Sequence, residues 1–247
     1  MLANKILKAL LLLLGGIFII LQGLAYEVEG AAVSALMLVL LTILYCGWTA
    51  EKSWHFFWFL VIFAVGHLLS YSGWFMPLLE VDQFDIHYYS ANILFIIAYL
   101  FLIIKVLTSI NVGKVFRELL IPVIILVVLD VFCVIIVTDA TGNSLTTYEY
   151  ILEFVYNGVI MALLSVALID YMYRNDNKSM LFLLGSICIV FSEIIQLAYY
   201  YILENRNLGF IYSFFLVVAF VFFYLQSQLK HTGPQPTYLD MDEQLEA

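Results

Sequence analysis

The chain has 247 residues, of which 64% are hydrophobic and only 12% charged, with a formal net charge of −9. Soluble domains carry about 25% charged residues, so the water-soluble classes are excluded. An excess of Asp and Glu over Lys and Arg, 19 against 10, argues against nucleic acid as a partner.

Taken in chain order, apolar runs near residues 6–26, 30–48, 54–75, 88–107, 118–139, 148–171, 179–202 and 208–228 account for almost the whole chain. A hydrocarbon core of roughly 30 Å is crossed by about 20 residues of helix. Barrel strands would be about 10 residues of alternating character, whereas these runs are continuously apolar. The predicted fold is all-α: a polytopic membrane helix bundle of eight transmembrane helices over residues 1–230, followed by a tail over 231–247. The first run follows Lys5 and Lys8, and its apolar core from Ile6 to Ala25 is longer than the about 7 to 15 residues of a secretory signal, which predicts a retained anchor. Small residues, Gly15 with Gly16 and Gly66 with Ser70 and Gly73, are expected where helices approach closely.

Basic residues in short loops stay in the cytoplasm. With the N-terminus inside, Lys5, Lys8, Lys52, Lys105, Lys114, Arg117, Arg174, Lys178 and Lys230 fall at cytoplasmic ends and only Arg206 outside, so both termini are predicted to be cytoplasmic. The outer loops carry Glu27, Glu29, Glu80, Asp82, Asp85, Asp139, Glu149 and Glu204 instead. The tail, with Pro234, Pro236 and four carboxylates, has too little apolar material to pack and is expected to be disordered. Cys46, Cys133 and Cys188 lie in different runs without metal-like spacing and read as small packing residues. No Gly-rich phosphate loop, C-x-x-C, H-E-x-x-H or G-x-S-x-G occurs, and no cofactor or metal is expected. Trp54, Trp74, Tyr88, Tyr89, Tyr148, Tyr171, Tyr173 and Tyr201 sit at span ends and read as interfacial belts. Asp170, Lys105 and Arg174, at inner ends, are expected to snorkel outward.

Chemistry is expected from polar groups inside the spans, where a charge costs about 2.5 to 3.5 kcal/mol and marks functional sites. His67, Asn92, Asp130, Glu153 and Glu193 come from five different spans. At about 1.5 Å per residue they lie roughly 12, 6, 14, 8 and 14 Å from the outer ends. If their faces converge they form one polar chamber opening toward the outer leaflet. Helical spacing puts Glu193, Gln196 and Tyr200 on one face, with Ser192 beside them, and Glu153, Tyr156 and Asn157 on another.

Eight short-looped spans with Val65-Gly66-His67-Leu68-Leu69 in the third, Phe95-Ile96-Ile97-Ala98-Tyr99 in the fourth and Ile189-Val190-Phe191-Ser192-Glu193, continuing to Ala198 and Tyr199, in the seventh resemble the YhhN family of lysoplasmalogenase-like membrane proteins. The last span, with Tyr212 and Tyr224 before Gln226, is also similar to that family's closing helix. Three positions depart from its pattern: His67 replaces an aspartate, Tyr99 a histidine, and Glu193 an aspartate, the last swap keeping the acid. The resemblance implies hydrolysis of the vinyl ether of a lysoplasmalogen-type lysophospholipid in a bacterial cytoplasmic membrane. Fitted to that chemistry, Glu193 supplies the proton and Asp130 or His67 orients water. Asn92, Tyr99, Glu153, Asn157, Ser192, Gln196 and Tyr200 are the expected substrate-binding residues, with membrane lipid as partner. The rival reading is a non-enzymatic lipid-binding or transport protein using the same chamber, and a second rival is a scaffold or sensor whose buried polar groups lock helix packing.

Overall fold

A computed structural model describes residues 2–76, 85–142, 145–202 and 205–232, and among these every regular element is helical. The helices are α1 (Leu2–Gly23), α2 (Glu27–Trp48), α3 (Trp54–Gly73), α4 (Ile86–Leu107), α5 (Val112–Glu118), α6 (Leu120–Thr141), α7 (Thr147–Arg174), α8 (Asn177–Tyr201) and α9 (Arg206–Ser227). All but the short α5 are long and apolar enough to cross a membrane, eight candidate spans in all. The chain is a multi-pass membrane protein. Of the tail expected over 231–247, residues 233–247 lie outside the described residues, as do Glu80, Asp82 and Glu204.

Local chemistry marks the helix ends. Asp85, Asn111 and Asp176 each accept a hydrogen bond from a backbone N–H three residues on, at 2.9, 3.1 and 2.8 Å, satisfying an otherwise orphaned donor. Thr146 and Glu149 form a reciprocal capping box at the start of α7. Asn175, at φ 49°, closes α7 in the left-handed conformation that asparagine tolerates better than most residues. Asn111 thereby starts α5, a short helix that precedes the apolar run near 118–139 and that hydropathy did not reveal.

Packing follows a closed circuit: α1 on α2, α2 on α3, α3 on α4, α4 on α7, α7 on α8, α8 on α9, and α9 back on α1. Helix α6 stands outside this ring, packed mainly on α7. It is the most apolar span, with mean hydropathy 3.3, and Ile121, Ile124, Ile125, Val127, Val128 and Phe132 are all exposed to what would be lipid. In lipid, such exposure needs no protein partner.

Call the end where α1 meets α2 and α8 meets α9 the mouth, and the opposite end the base. The basal half of the ring is filled by aromatic side chains. Phe56, Phe59 and Phe63 climb one face of α3, and Phe59 stacks on Phe220 with centroids 5.9 Å apart and planes 9° apart, then meets Phe223 edge-on at 5.7 Å. Tyr99 and Phe182 complete this floor, and all of them are buried.

Glycines set two of the closest approaches. A Cβ on Gly66 would stand 2.6 Å from Phe95 Cε1, and one on Gly209 would stand 2.5 Å from the Gln22 backbone carbonyl oxygen. Gly15 faces Val217 on α9, while Gly16, expected to pack with it, has open space around it. At Gly209 the obstacle is main chain, which cannot rotate aside as a ring can. Gly209→Ala is therefore expected to part α9 from α1 and cost about 1–3 kcal/mol. Gly16→Ala should leave stability unchanged, and SDS titration of the two variants side by side checks both.

At the base the expected snorkelling of Asp170, Lys105 and Arg174 is overturned. Asp170 and Arg174 are 3% and 6% exposed and turn inward: Arg174 Nε donates to Asp170 Oδ1 at 2.8 Å, and Nη2 donates to the Ser109 carbonyl and, at 3.0 Å, to its hydroxyl. Lys105 lies against the rings of Phe182 and Phe56 and donates to Gln226 Oε1 at 3.0 Å. Partners within reach hold these three side chains inside, so no gain remains from extending to the interface.

The segment after α9 folds back on the base, with Gln228 Nε2 bonded to Thr49 Oγ1 at 2.8 Å and His231 Nδ1 2.9 Å from Asp176 Oδ2. Burial pushes the His231 ring below its usual value of 6.5 and outweighs the attraction of Asp176. Burial alone would raise Asp176, but the Ser179 N–H and His231 hold its carboxyl below the ordinary 3.8. Both groups therefore bind protons less readily when folded than when unfolded, so the latch weakens on acidification, first as pH drops below 6.5 and again as it falls through the depressed Asp176 value. Hydrogen–deuterium exchange at the imidazole C2 of His231 should give a midpoint below 6.5. A midpoint above it would show that Asp176 dominates.

Candidate functional site

Above the aromatic floor the ring encloses a cavity of about 900 Å³ that reaches the mouth. Phe63 and Leu216 form its lower wall, and Trp74, Asp85 and His87 stand near its opening. The convergence expected of the polar span residues holds for most of them. His67, Asn92, Glu153, Asn157, Glu193, Gln196 and Tyr200 all line this one cavity.

Glu193 sits deepest among the acids. Tyr99, fully buried on α4, donates its hydroxyl to Glu193 Oε1, and Tyr156 of α7 lies close enough to the same carboxyl to interact with it. The Tyr99 and Tyr156 rings meet edge-on, 6.1 Å apart, so α4 and α7 together bring two phenols to one acid on α8. Nearer the mouth, Tyr88 donates to Glu153 Oε1 at 3.2 Å, and the Tyr201 hydroxyl lies 3.5 Å from that of Tyr88. The two carboxyl groups are close enough to interact electrostatically. His67 faces the cavity from α3 with Nδ1 3.2 Å from Ser34 Oγ, and its ring is held by Phe63 and Phe95 with centroids 5.0 and 5.2 Å away.

The remaining expected residues separate by partner. Asn92 Nδ2 donates to the Tyr88 carbonyl at 2.9 Å, one turn back on its own helix, and Asn157 Nδ2 donates to Thr138 Oγ1 of α6 at 3.1 Å. Tyr200 and Tyr212 lie close enough near the mouth to interact. Ser192 is turned away, donating to the Tyr212 carbonyl at 2.9 Å and tying α8 to α9. Tyr99 does not line the cavity directly and acts through Glu193.

Asp130 is the clear correction. It lies on α6, outside the ring, and accepts from Ser165 Oγ at 2.7 Å across the α6–α7 contact. It is absent from the cavity wall, so it cannot orient water for Glu193. Similar depth in the bilayer does not decide which way a helix faces, and α6 is the one span that the ring leaves out.

Several wall residues carried no functional reading in the sequence. Gln22 of α1 is 4% exposed and its Oε1 has no partner among the described residues, and the same holds for His87 Nδ1; both residues line the cavity. Such orphaned atoms on a cavity wall are satisfied by a ligand or by water. Gln22 was legible as an amide inside an apolar run, while Tyr88 and Tyr201, read as belt residues, turn inward to Glu153. Among the described lining residues the charged side chains are Glu27, Asp85, Glu153 and Glu193, with neither lysine nor arginine.

The arrangement can transfer a proton from one carboxyl, guide water with a second carboxylate or an imidazole, and hold an elongated amphiphile whose apolar part lies along the aromatic wall. Comparison with protein-family models, with curated proteins and with solved structures gives no match for this chain.

Proposed function

We propose that this chain is a divergent relative of the YhhN family and hydrolyses the vinyl ether of a lysoplasmalogen-type lysophospholipid. The observation that carries the reading is the pairing, in one cavity within the membrane span, of Glu193 beside two tyrosines and Glu153 held by a third. The chain then lies in a bacterial cytoplasmic membrane with its basic base, and both termini, on the cytoplasmic side.

In this mechanism Glu193 gives its proton to the vinyl carbon remote from oxygen, leaving an oxocarbenium ion. Tyr99 then holds the carboxylate that remains, with Tyr156 beside it. Water adds to the cationic carbon, its proton passing to Glu153 or to His67, the groups that take the place expected of Asp130. The hemiacetal loses its hydroxyl proton to Glu193 as the carbon–oxygen bond breaks, and the leaving alkoxide takes the proton held by Glu153 or His67. The products are a fatty aldehyde and a glycerophospho headgroup, and both acids return to their starting states.

The test is aldehyde release by the full chain in nanodiscs, with an ester lysolipid as control. Release from the vinyl ether alone supports the reading, and its absence, with lysolipid still bound, favours a non-enzymatic lipid-binding or transport role. One observation favours that second role: a wall of carboxylates and aromatic rings, with no lysine or arginine among its described residues, suits a cationic headgroup whether or not a bond is broken.

A further inference from the structure

The base holds a second cavity, of about 260 Å³, on the far side of the aromatic floor, with Ser53, Lys105, Asp170, Lys178, Phe182 and Gln226 on its wall. Its chemistry is the reverse of the upper chamber. Asp170 is paired with Arg174 at 2.8 Å, which leaves Lys105 and Lys178 facing the space without a direct ion pair, although Asp170 acts on both through space and Asp176 and Glu51 act on Lys178. Among the described residues no carboxylate lies within ion-pair distance of either lysine.

Hydrogen-bond capacity points the same way. An ammonium has three donors, and Lys105 uses one of them on Gln226 Oε1 at 3.0 Å. That contact turns the Gln226 amide so that Nε2, a donor of two hydrogens, is buried without a partner among the described residues, in a side chain that is only 1% exposed. A buried donor left unmade costs about 1–3 kcal/mol, so an arrangement that keeps Gln226 in this orientation needs an acceptor. Phe56 and Phe182, with centroids 5.2 and 4.6 Å from Lys105 Nζ, fix the ammonium beside the space instead of letting it extend outward. Surplus donors on two lysines that make no direct ion pair, beside an amide donor left unmade, suit a small anion with several acceptor oxygens, as a phosphate or phosphomonoester offers.

We propose that the basal cavity is a binding site for a phosphate-type anion, held by Lys105, Lys178 and the Gln226 amide. The ligand is either free phosphate or the terminal phosphomonoester of a lipid, since the same donors serve both. It is separate from the upper chamber, and neither reading depends on the other.

The experiment uses the full chain in two arms: equilibrium binding of radiolabelled inorganic phosphate to protein in phosphatidylcholine nanodiscs, and native mass spectrometry after reconstitution with phosphatidic acid. Saturable binding in the first arm assigns free phosphate, and retention of one lipid per chain in the second, without the first, assigns a lipid phosphomonoester. In either case Lys105→Met and Lys178→Gln should each weaken binding at least about tenfold, roughly one charge-assisted hydrogen bond. Lys178→Gln serves where Lys105→Met, which also removes the contacts to Phe56 and Phe182, fails to fold. Absence of binding in both arms, or binding that neither substitution alters, overturns the proposal.

Discussion

Glu193→Gln is expected to reduce aldehyde release by about 100- to 10,000-fold, the range over which a positioned general acid contributes. The amide keeps the length of the side chain and retains an oxygen to accept from Tyr99 beside Tyr156, so the α4–α7–α8 contact should survive while the transferable proton is lost. Folding is monitored by SDS titration, which should change little. Glu153→Gln is expected to slow the reaction less, because His67 faces the same space and can take the proton of the attacking water. Equal release by the parent and Glu193→Gln would remove Glu193 from the chemistry, whatever the lipid.

The largest stability effect is expected at the base. Arg174→Met strands the Asp170 carboxylate, 3% exposed, with its partner gone, and unpaired charges of this kind cost about 3–5 kcal/mol. It also removes both bonds to Ser109, which fasten the turn after α4 to the last turn of α7. Combining it with Asp170→Leu should recover most of the loss, since an apolar pair of similar volume often matches a buried ion pair. Chemical unfolding of the two variants in detergent measures the difference. If Arg174→Met lies within about 1 kcal/mol of the parent, the pair is hydrated and the inward reading of the base fails.

The expected chamber was legible in part because two signals in the sequence are strong. Carboxylates inside apolar runs are costly enough to stand out, which marked Glu153 and Glu193, and the 3.6-residue period placed Gln196 and Tyr200 with Glu193 and Asn157 with Glu153. Asp130 carries the same signal but fails, because depth along a helix says nothing of azimuth. A single serine on α7 is enough to satisfy it outside the ring. Tyr88 and Tyr201 misled in the opposite sense: an aromatic near a span end suits either the interface or an inward carboxylate, and only the presence of Glu153 on the facing helix decides.

The sequence by itself determined the membrane class, the eight spans, their helical form and most of their boundaries, since each follows from the length and composition of a local segment in a solvent that cannot satisfy backbone groups. Tertiary structure alone decided that seven helices close a ring while α6 stays outside, that Tyr99 and Tyr156 meet at Glu193, and that Lys105, Asp170 and Arg174 turn inward. Those outcomes depend on which helix faces which, and that is set by packing between residues as far apart in sequence as Tyr99 and Glu193, or Gln22 and Gly209, whose meeting no local window contains.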